Sequence, residues 1–390
     1  MSKPRIPRDK QNDYSLHAVR TRREFIQQHT GASLNHTGQF STPPDAVSGN
    51  CENFSGMTQM PLGLAGPVLI NGEHAQGEFY VPLATTEGTL VASYSRGMRA
   101  ITASGGITTT VFDDVMQRAP AFKFSSAREV KKFMQWFDGN YNAVKEQAES
   151  TSSVAKLEFV QRWPMHNLLY MRWNYSTGDA AGQNMVSKAT DHAAKWIVRN
   201  YPNETPYYQF SGGVDTDKKH SHLNFMHSRG KRVVAELLLK KEVLADLFRT
   251  DAASLQRFRT VTMMGSQLAG SAYNGGHSAN GIASFFIATG QDEANVVESH
   301  AGQTFSEAQD NGDFYWSWTL PSLIVATFGG GTGLPTQRES LEMMDCYGKG
   351  KAKKLAEIVA AVVAAGDVSI ASAMAANEFV DSHETYGRNR

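Results

Sequence analysis

The chain has 390 residues, of which 41% are hydrophobic and 19% charged, and its formal net charge is +0. That allows roughly two to three globular domains and excludes the charge bias of a nucleic-acid or membrane-surface binder. The two cysteines, Cys51 and Cys346, are too few for a disulfide framework and fit a reducing compartment.

The N-terminus carries basic residues with no apolar run behind them, so no secretory signal is expected and a cytoplasmic protein is. Residues 1–50 read as a short N-terminal helical arm, with a helix over Leu16 to Gln28 and a loop closing on Thr42-Pro43-Pro44. Strands are predicted over Pro67 to Ile70 and Gly77 to Leu83, turning at Asn71-Gly72, a strong hairpin signal. A helix is predicted over Glu87 to Ile101 with Thr85 or Thr86 as its N-cap.

Residues 120–208 change style. Strand-like runs (Leu157 to Arg162, Leu168 to Tyr175) alternate with helices (Ala127 to Trp136, Met185 to Tyr201), which suggests a compact α+β unit. Beyond residue 209 the earlier style returns, with strands at Val233 to Leu239 and Phe314 to Leu320. Two alanine-rich helices, Ala352 to Ala365 and Val368 to Phe379, are predicted to end the chain, separated by Gly366 as C-cap and Asp367 as N-cap. Asp367 and serines interrupt that apolar tract, so a buried helix pair explains it better than a membrane span. The simplest architecture is one larger unit, 51–119 with 209–390, interrupted by a smaller one, 120–208.

Six stretches carry residues suited to chemistry, and each also has a plain structural reading. Glu87 is either a first-turn carboxylate facing a helix dipole or a buried proton donor. Asp217-Lys218-Lys219 is either a solvated turn or a lysine held by a carboxylate to polarise a carbonyl oxygen. His220, His222 and His227 follow without a cysteine or H-E-x-x-H partner, so no metal is expected. Gly178 to Met185 is either a simple turn or a small-residue approach to helix amides suited to a phosphate, and it is not G-x-G-x-x-G. Gly329 to Gly333 is either a flexible bend or a close approach for ligand or backbone. Asp292, just past an apolar helix, opposes the helix dipole and needs compensation. His383 is either exposed in the tail or a general acid on a moving flap.

The order of the motifs is more specific than any one of them. Glu52-Asn53, Pro61 to Pro67, Ala84 to Gly88 and Arg96 to Ile101 are followed by Gly178-Asp179-Ala180 and Asp217-Lys218-Lys219. Then come Gly276 to Asn280, Gly290-Gln291-Asp292, Pro321-Ser322, Gly329 to Thr332 and Ser382-His383. From about residue 50 onward the chain resembles the eukaryotic-type branch of the 3-hydroxy-3-methylglutaryl-CoA reductases, as a soluble catalytic portion without the membrane anchor of the animal enzymes.

The resemblance implies an α+β fold: a large helix-rich domain with a small inserted ferredoxin-like, non-Rossmann dinucleotide-binding domain. It implies reduction of an acyl-CoA thioester to mevalonate and CoA in two hydride transfers, with NADPH favoured and NADH not excluded. By the same carry-over Glu87 protonates a carbonyl oxygen, Lys218 stabilises the oxyanion, Asp292 lies against both, and His383 protonates the leaving thiolate. Gly178, Asp179, Gly182 and Asn184 hold the dinucleotide. Arg118, Ser211, Asp217, Lys219 and Asn280 hold the acyl group, and Arg96, with Arg99 on the same helix, faces the CoA or supports the site. The resemblance further implies a homodimer or homotetramer with active sites between subunits; the balanced charge suggests no nucleic-acid or membrane partner.

Departures from the pattern cluster at acyl recognition. The family's lysine four residues before Gly265-Ser266-Gln267-Leu268-Ala269-Gly270 is Val261 here, with Arg257 one helical turn earlier as a substitute. The family's Gly-Asn-Tyr is Gly212-Gly213-Val214, and Tyr273-Asn274-Gly275-Gly276 is one residue short. Three readings follow: the standard reductase, the same reaction on another acyl-CoA, and a non-catalytic CoA- or nucleotide-binding homologue.

Overall fold

A computed structural model describes residues 3–376 of the chain. The N-terminal arm forms because Ser15 accepts the Ala18 amide at the start of α1 (Leu16–Thr30) and Gly31, at φ 74°, ends it. Buried Arg22 fastens the arm, pairing with Asp13 at 2.7 Å and donating from Nε to the Phe54 carbonyl at 2.9 Å. Val19, Val47 and Phe54 form a small apolar cluster that reaches Leu334.

The chain continues through β1 (Leu62–Gly72), β2 (Gln76–Ala84), α2 (Leu90–Ala103) and the long β3 (Ile107–Arg118). Then come β4 (Ala121–Lys123), α3 (Ala127–Gly139), α4 (Tyr141–Glu149), β5 (Lys156–Met165), β6 (Leu168–Ser176), α5 (Gln183–Asn200) and β7 (Tyr207–Gln209). The rest comprises α6 (His222–Met226), β8 (Gly230–Leu239), α7 (Lys241–Phe248), α8 (Ala252–Ala269), α9 (Ser278–Thr289) and α10 (Val296–Ser299). It ends with β9 (Gln303–Ala308), β10 (Phe314–Leu323), α11 (Pro335–Met343) and α12 (Ala352–Ala375).

The result is a mixed α+β fold. The main sheet path runs β7-β4-β6-β3-β8-β10-β9 and is antiparallel throughout; β1 pairs with β2 and, in parallel, with β3. β3 serves two halves: residues 108–115 pair with β8 and residues 116–118 with β6. Two apolar cores result. One packs α2, α9 and α12 against β1, β2, β8 and β10, and the other packs α3, α4 and α5 against β4 to β6. Strand β10 shows the cause, with Phe314, Trp316, Trp318 and Leu320 pointing inward at every second residue.

Three local expectations differ from the structure, the first and third through tertiary contacts. The hairpin turns at Glu73-His74 rather than Asn71-Gly72, because Glu357 accepts the amides of Glu73, His74 and Ala75 at 3.1, 2.9 and 2.6 Å. The predicted 87–101 helix begins only at Leu90, behind Thr89 at φ 66°, so Glu87 lies in the preceding turn. The alanine-rich region is one helix, with neither Gly366 nor Asp367 acting as a cap. Asp367 instead accepts from Tyr273 Oη (2.5 Å), Trp318 Nε1 (2.9 Å) and the Gly276 and His277 amides (2.9 and 2.8 Å). Close packing of α2 on α12 needs Gly97, where a β-carbon would stand 1.9 Å from the Ala365 carbonyl oxygen. Helix α12 is long and apolar enough to cross a membrane, yet 83% of its apolar window is buried inside the fold.

Candidate active site

A cleft of about 680 Å³ opens between the start of α5, the segment after α9 and the Phe328–Thr332 loop. One wall is Ala180 to Met185, including Gly182, Gln183 and Asn184; another carries Lys218 and Asp292. Gly178 and Gly182 take left-handed backbone, at φ 60° and 83°, and Gly182 leads into α5 without a side-chain cap. The first-turn amides of α5, which has no acidic residue there, therefore face the cleft region without an internal carboxylate. Its floor exists because Gly290 and Gly331 cross: a β-carbon on Gly290 would lie 2.3 Å from the Gly331 carbonyl oxygen. The triple-glycine run thus admits another backbone.

Lys218 sits in a tight turn. Thr216 and Lys218 both adopt left-handed backbone, at φ 56° and 55°. The Lys218 ammonium meets Asp292 Oδ2 at 2.9 Å, and both side chains are about two-fifths exposed (41% and 40%). The hydrogen bond to Asp292 raises the lysine pKa above its ordinary value, with Asp217 and Glu298 adding attraction. The compensation expected for Asp292 is therefore supplied by the Lys218 ammonium and by the Ala294 amide, 3.1 Å away.

Beneath this pair lies a buried ion network that sequence reasoning missed apart from Arg118 and Asp217. Arg229 donates from Nη2 to Asp217 at 2.6 Å and from Nε to Glu298 at 3.3 Å. Arg118 reaches Asp215 at 3.1 Å and Asp217 at 3.4 Å, and donates to Ser187 Oγ at 2.8 Å. Ser211 donates to the same Asp215 oxygen, Oδ2, at 3.2 Å. Arg172 is fully buried; desolvation first, and then Arg229, push its pKa down to about 9. No local pattern flags Arg229, Asp215 or Glu298, because their partners are assembled by the tertiary fold.

Several predicted site residues are placed differently from expectation. Asn280 directs its amide to both carboxylate oxygens of Glu87, at 3.1 and 2.9 Å, rather than leaving it for an acyl group. Glu87 is therefore held from the first turn of α9, while Asp292 follows that helix. Among the described residues, no ion pair joins Glu87 to Lys218, whose ammonium is held by Asp292. Arg96 donates to Ser369 Oγ and O at 3.1 and 2.8 Å and covers the Phe248 ring, so it braces α2 on α12; Arg99 is exposed. Asp179 accepts the amides of Gly350, Lys351 and Ala352 at 2.7, 3.0 and 3.1 Å, capping α12. Lys219 donates to the Asp217 carbonyl at 3.0 Å. Arg257 turns back to Ser254 at 2.8 Å, away from exposed Val261. His383 lies outside the described residues.

The hydroxymethylglutaryl-coenzyme A reductase family model matches residues 18–388. The chain is 42% identical over 381 residues to the 3-hydroxy-3-methylglutaryl-coenzyme A reductase of Pyrococcus abyssi, covering 95% of this chain and 93% of that protein. Identity to the enzyme of the same name from Strongylocentrotus purpuratus is 40% over 357 residues, covering 88% of this chain and 38% of that one. Among solved structures, the class II enzyme of Streptococcus pneumoniae bound to NADPH matches with a TM-score of 0.68 at 18% identity, over 94% of this chain and 97% of that one.

Proposed function

Because the chain belongs to the hydroxymethylglutaryl-coenzyme A reductase family, we infer that it reduces 3-hydroxy-3-methylglutaryl-CoA to mevalonate and CoA with NADPH. The observation that carries this reading is the Lys218–Asp292 ion pair, which lines the same cleft as the uncapped start of α5. A cleft of this volume suits a cofactor. The Gly182–Met185 amides and Asn184 suit the anionic part of a dinucleotide. When bound, NADPH supplies the hydride for each of two reductions.

The residues of the chain handle charge and protons. Hydride arrival at the thioester carbon places negative charge on its oxygen, and Lys218 offers a fixed ammonium there. Loss of the thiolate leaves an aldehyde, and a second hydride makes an alkoxide that needs a proton. We assign that proton to Glu87, oriented by Asn280, and the thiolate proton to His383. Arg118 and Ser211, with Asp217 and Lys219 beside them, form the acyl-recognition end.

We read residues 120–208 as the dinucleotide platform, of ferredoxin-like form. Support comes from its element order, β4-α3-α4-β5-β6-α5-β7, and its antiparallel strand order β5-β6-β4-β7. We read the complete site as closed between two copies, in a homodimer or homotetramer. An apolar stripe on α8 supports this: Val261, Met264 and Leu268, on one helical face, are 71%, 63% and 91% exposed. We place the chain in the branch that includes the animal enzymes, which the 40% identity to the urchin protein supports against 18% to the class II enzyme. Two unbonded cysteines fit a cytoplasmic protein.

The test is NADPH oxidation with 3-hydroxy-3-methylglutaryl-CoA, alongside a panel of other acyl-CoA thioesters. Two NADPH consumed per thiol released is expected. Cofactor binding without hydride transfer to any thioester would leave only a nucleotide-binding homologue.

A further inference from the structure

The segment following α9 holds Lys218 by both ends of the residue. At its start, Asp292 takes the ammonium. Six residues on, Glu298 accepts the Lys218 backbone N–H through Oε1 at 3.0 Å. The same oxygen accepts Asn295 Nδ2 at 3.1 Å and Arg229 Nε at 3.3 Å. Glu298 has a side-chain exposure of 0%.

Lys218 needs such an anchor. Its left-handed backbone, shared with Thr216, is unfavourable for a residue bearing a β-carbon and holds only when surrounding contacts impose it. Relaxation of that turn would swing the ammonium away from Asp292.

A counter-ion role for Glu298 does not account for the geometry. Arg229 already has Asp217 at 2.6 Å, and it meets Glu298 through one nitrogen and one oxygen rather than as a bidentate fork. Glu298 Oε2 is buried without a partner, and desolvation pushes the carboxyl pKa up, so keeping a carboxylate here is costly. The oxygen that is satisfied is the one serving the Lys218 amide. Asn295 also accepts from Gln183 Nε2 at 3.2 Å, so the segment touches the start of α5 as well.

We propose that Glu298 is a positioning residue: its buried carboxylate fixes the left-handed backbone of Lys218 so that the ammonium presents one geometry to Asp292 and to the substrate oxygen. This rests on the reading of Lys218 as the oxyanion partner.

Two substitutions separate reach from charge. Glu298→Gln keeps an acceptor at the same distance and removes the charge; Glu298→Asp keeps the charge and withdraws the acceptor by one methylene. We expect E298Q to lower Tm but hold kcat within about 3-fold of the parent. We expect E298D to lower kcat on the order of 10- to 100-fold, as misplacement by about 1 Å does, with KM for NADPH and thioester little changed.

A second readout needs no turnover: the Lys218 titration followed by NMR of isotopically methylated lysines, assigned through its loss in K218M. Lys218 is faced by Asp292, by Asp217 on its own turn and by Glu298 on α10. Its raised pKa should fall clearly in E298D and less in E298Q, which loses only the Glu298 attraction. The reverse order of the two variants, in kcat or in the titration, would make Glu298 a counter-ion and overturn the proposal. A parent protein inactive on every thioester would instead overturn the activity reading, while the titration still judges the positioning role.

Discussion

Two ion pairs reach the segment after α9 in different surroundings. Lys218–Asp292 lies at the cleft wall with its side chains 41% and 40% exposed, and Arg229–Glu298 lies below it at 1% and 0%. An exposed pair contributes about 0–1 kcal/mol to stability, so stability does not explain Lys218–Asp292. A buried pair contributes through the penalty for breaking it, about 3–5 kcal/mol when one partner is removed. The upper layer is open to the cleft and the lower layer is closed off from it.

The sharpest way to break that division is to remove one cation from each layer. Arg229→Ala leaves buried Glu298 without its cation and Asp217 with Arg118 alone, and should destabilise the protein by about 3–5 kcal/mol, read as a fall in urea midpoint at constant m. Lys218→Met should shift stability by no more than about 1 kcal/mol. Its kcat should nonetheless fall on the order of 10²- to 10³-fold, the cost of losing one oxyanion donor. Equal unfolding midpoints for the two variants would erase the distinction between the layers.

The upper layer was largely legible in the sequence and the lower layer was not. Lys218 and Asp292 stand in contiguous motifs whose order along the chain is informative. Arg229 and Glu298 are 69 residues apart and meet only because the fold brings α10 beside the residue that precedes β8. The strands were legible where burial alternates, as in β10, since the period of two is a local property. Gly366-Asp367 misled for the opposite reason. Read locally it ends a helix, but Asp367 is committed to Tyr273, Trp318 and the loop before α9, and the helix runs on. Glu87 was misplaced by one turn because Thr85 caps its amide at 2.9 Å before the helix begins.

Asp292→Asn probes the upper layer alone. The Lys218 pKa is raised chiefly by its hydrogen bond to Asp292, so the folded enzyme keeps the ammonium further into alkaline pH than a free lysine would. With asparagine there, the alkaline limb of kcat should move to lower pH, and kcat at neutral pH should fall roughly 10²-fold. An unmoved alkaline limb would mean that the limb reports another group.

Asp215 tests where the lower layer meets the substrate. Its Oδ2 holds both Arg118 and Ser211, the two side chains proposed for the acyl-recognition end. On that proposal, Asp215 competes with the substrate for both side chains. Asp215→Asn should lower KM for 3-hydroxy-3-methylglutaryl-CoA by about 10-fold, or about 1.4 kcal/mol. KM for NADPH serves as the unchanged control. A rise in the thioester KM would instead make Asp215 a support for Arg118.

Asp179 should give the smallest effect, and it asks which layer a residue belongs to when its position and its bonds disagree. Its loop leads into the cleft wall, but its carboxylate accepts three amides at the start of α12, as an N-terminal cap does. If the bonds decide, Asp179→Ala costs about 1 kcal/mol of stability through the lost cap, and KM for NADPH stays within about 2-fold. If the position decides, KM for NADPH rises about 10-fold with stability unchanged, and Asp179 joins the residues that touch the dinucleotide. Denaturation and steady-state kinetics on that one variant distinguish the two, because a cap acts on the fold and a ligand contact on the cofactor.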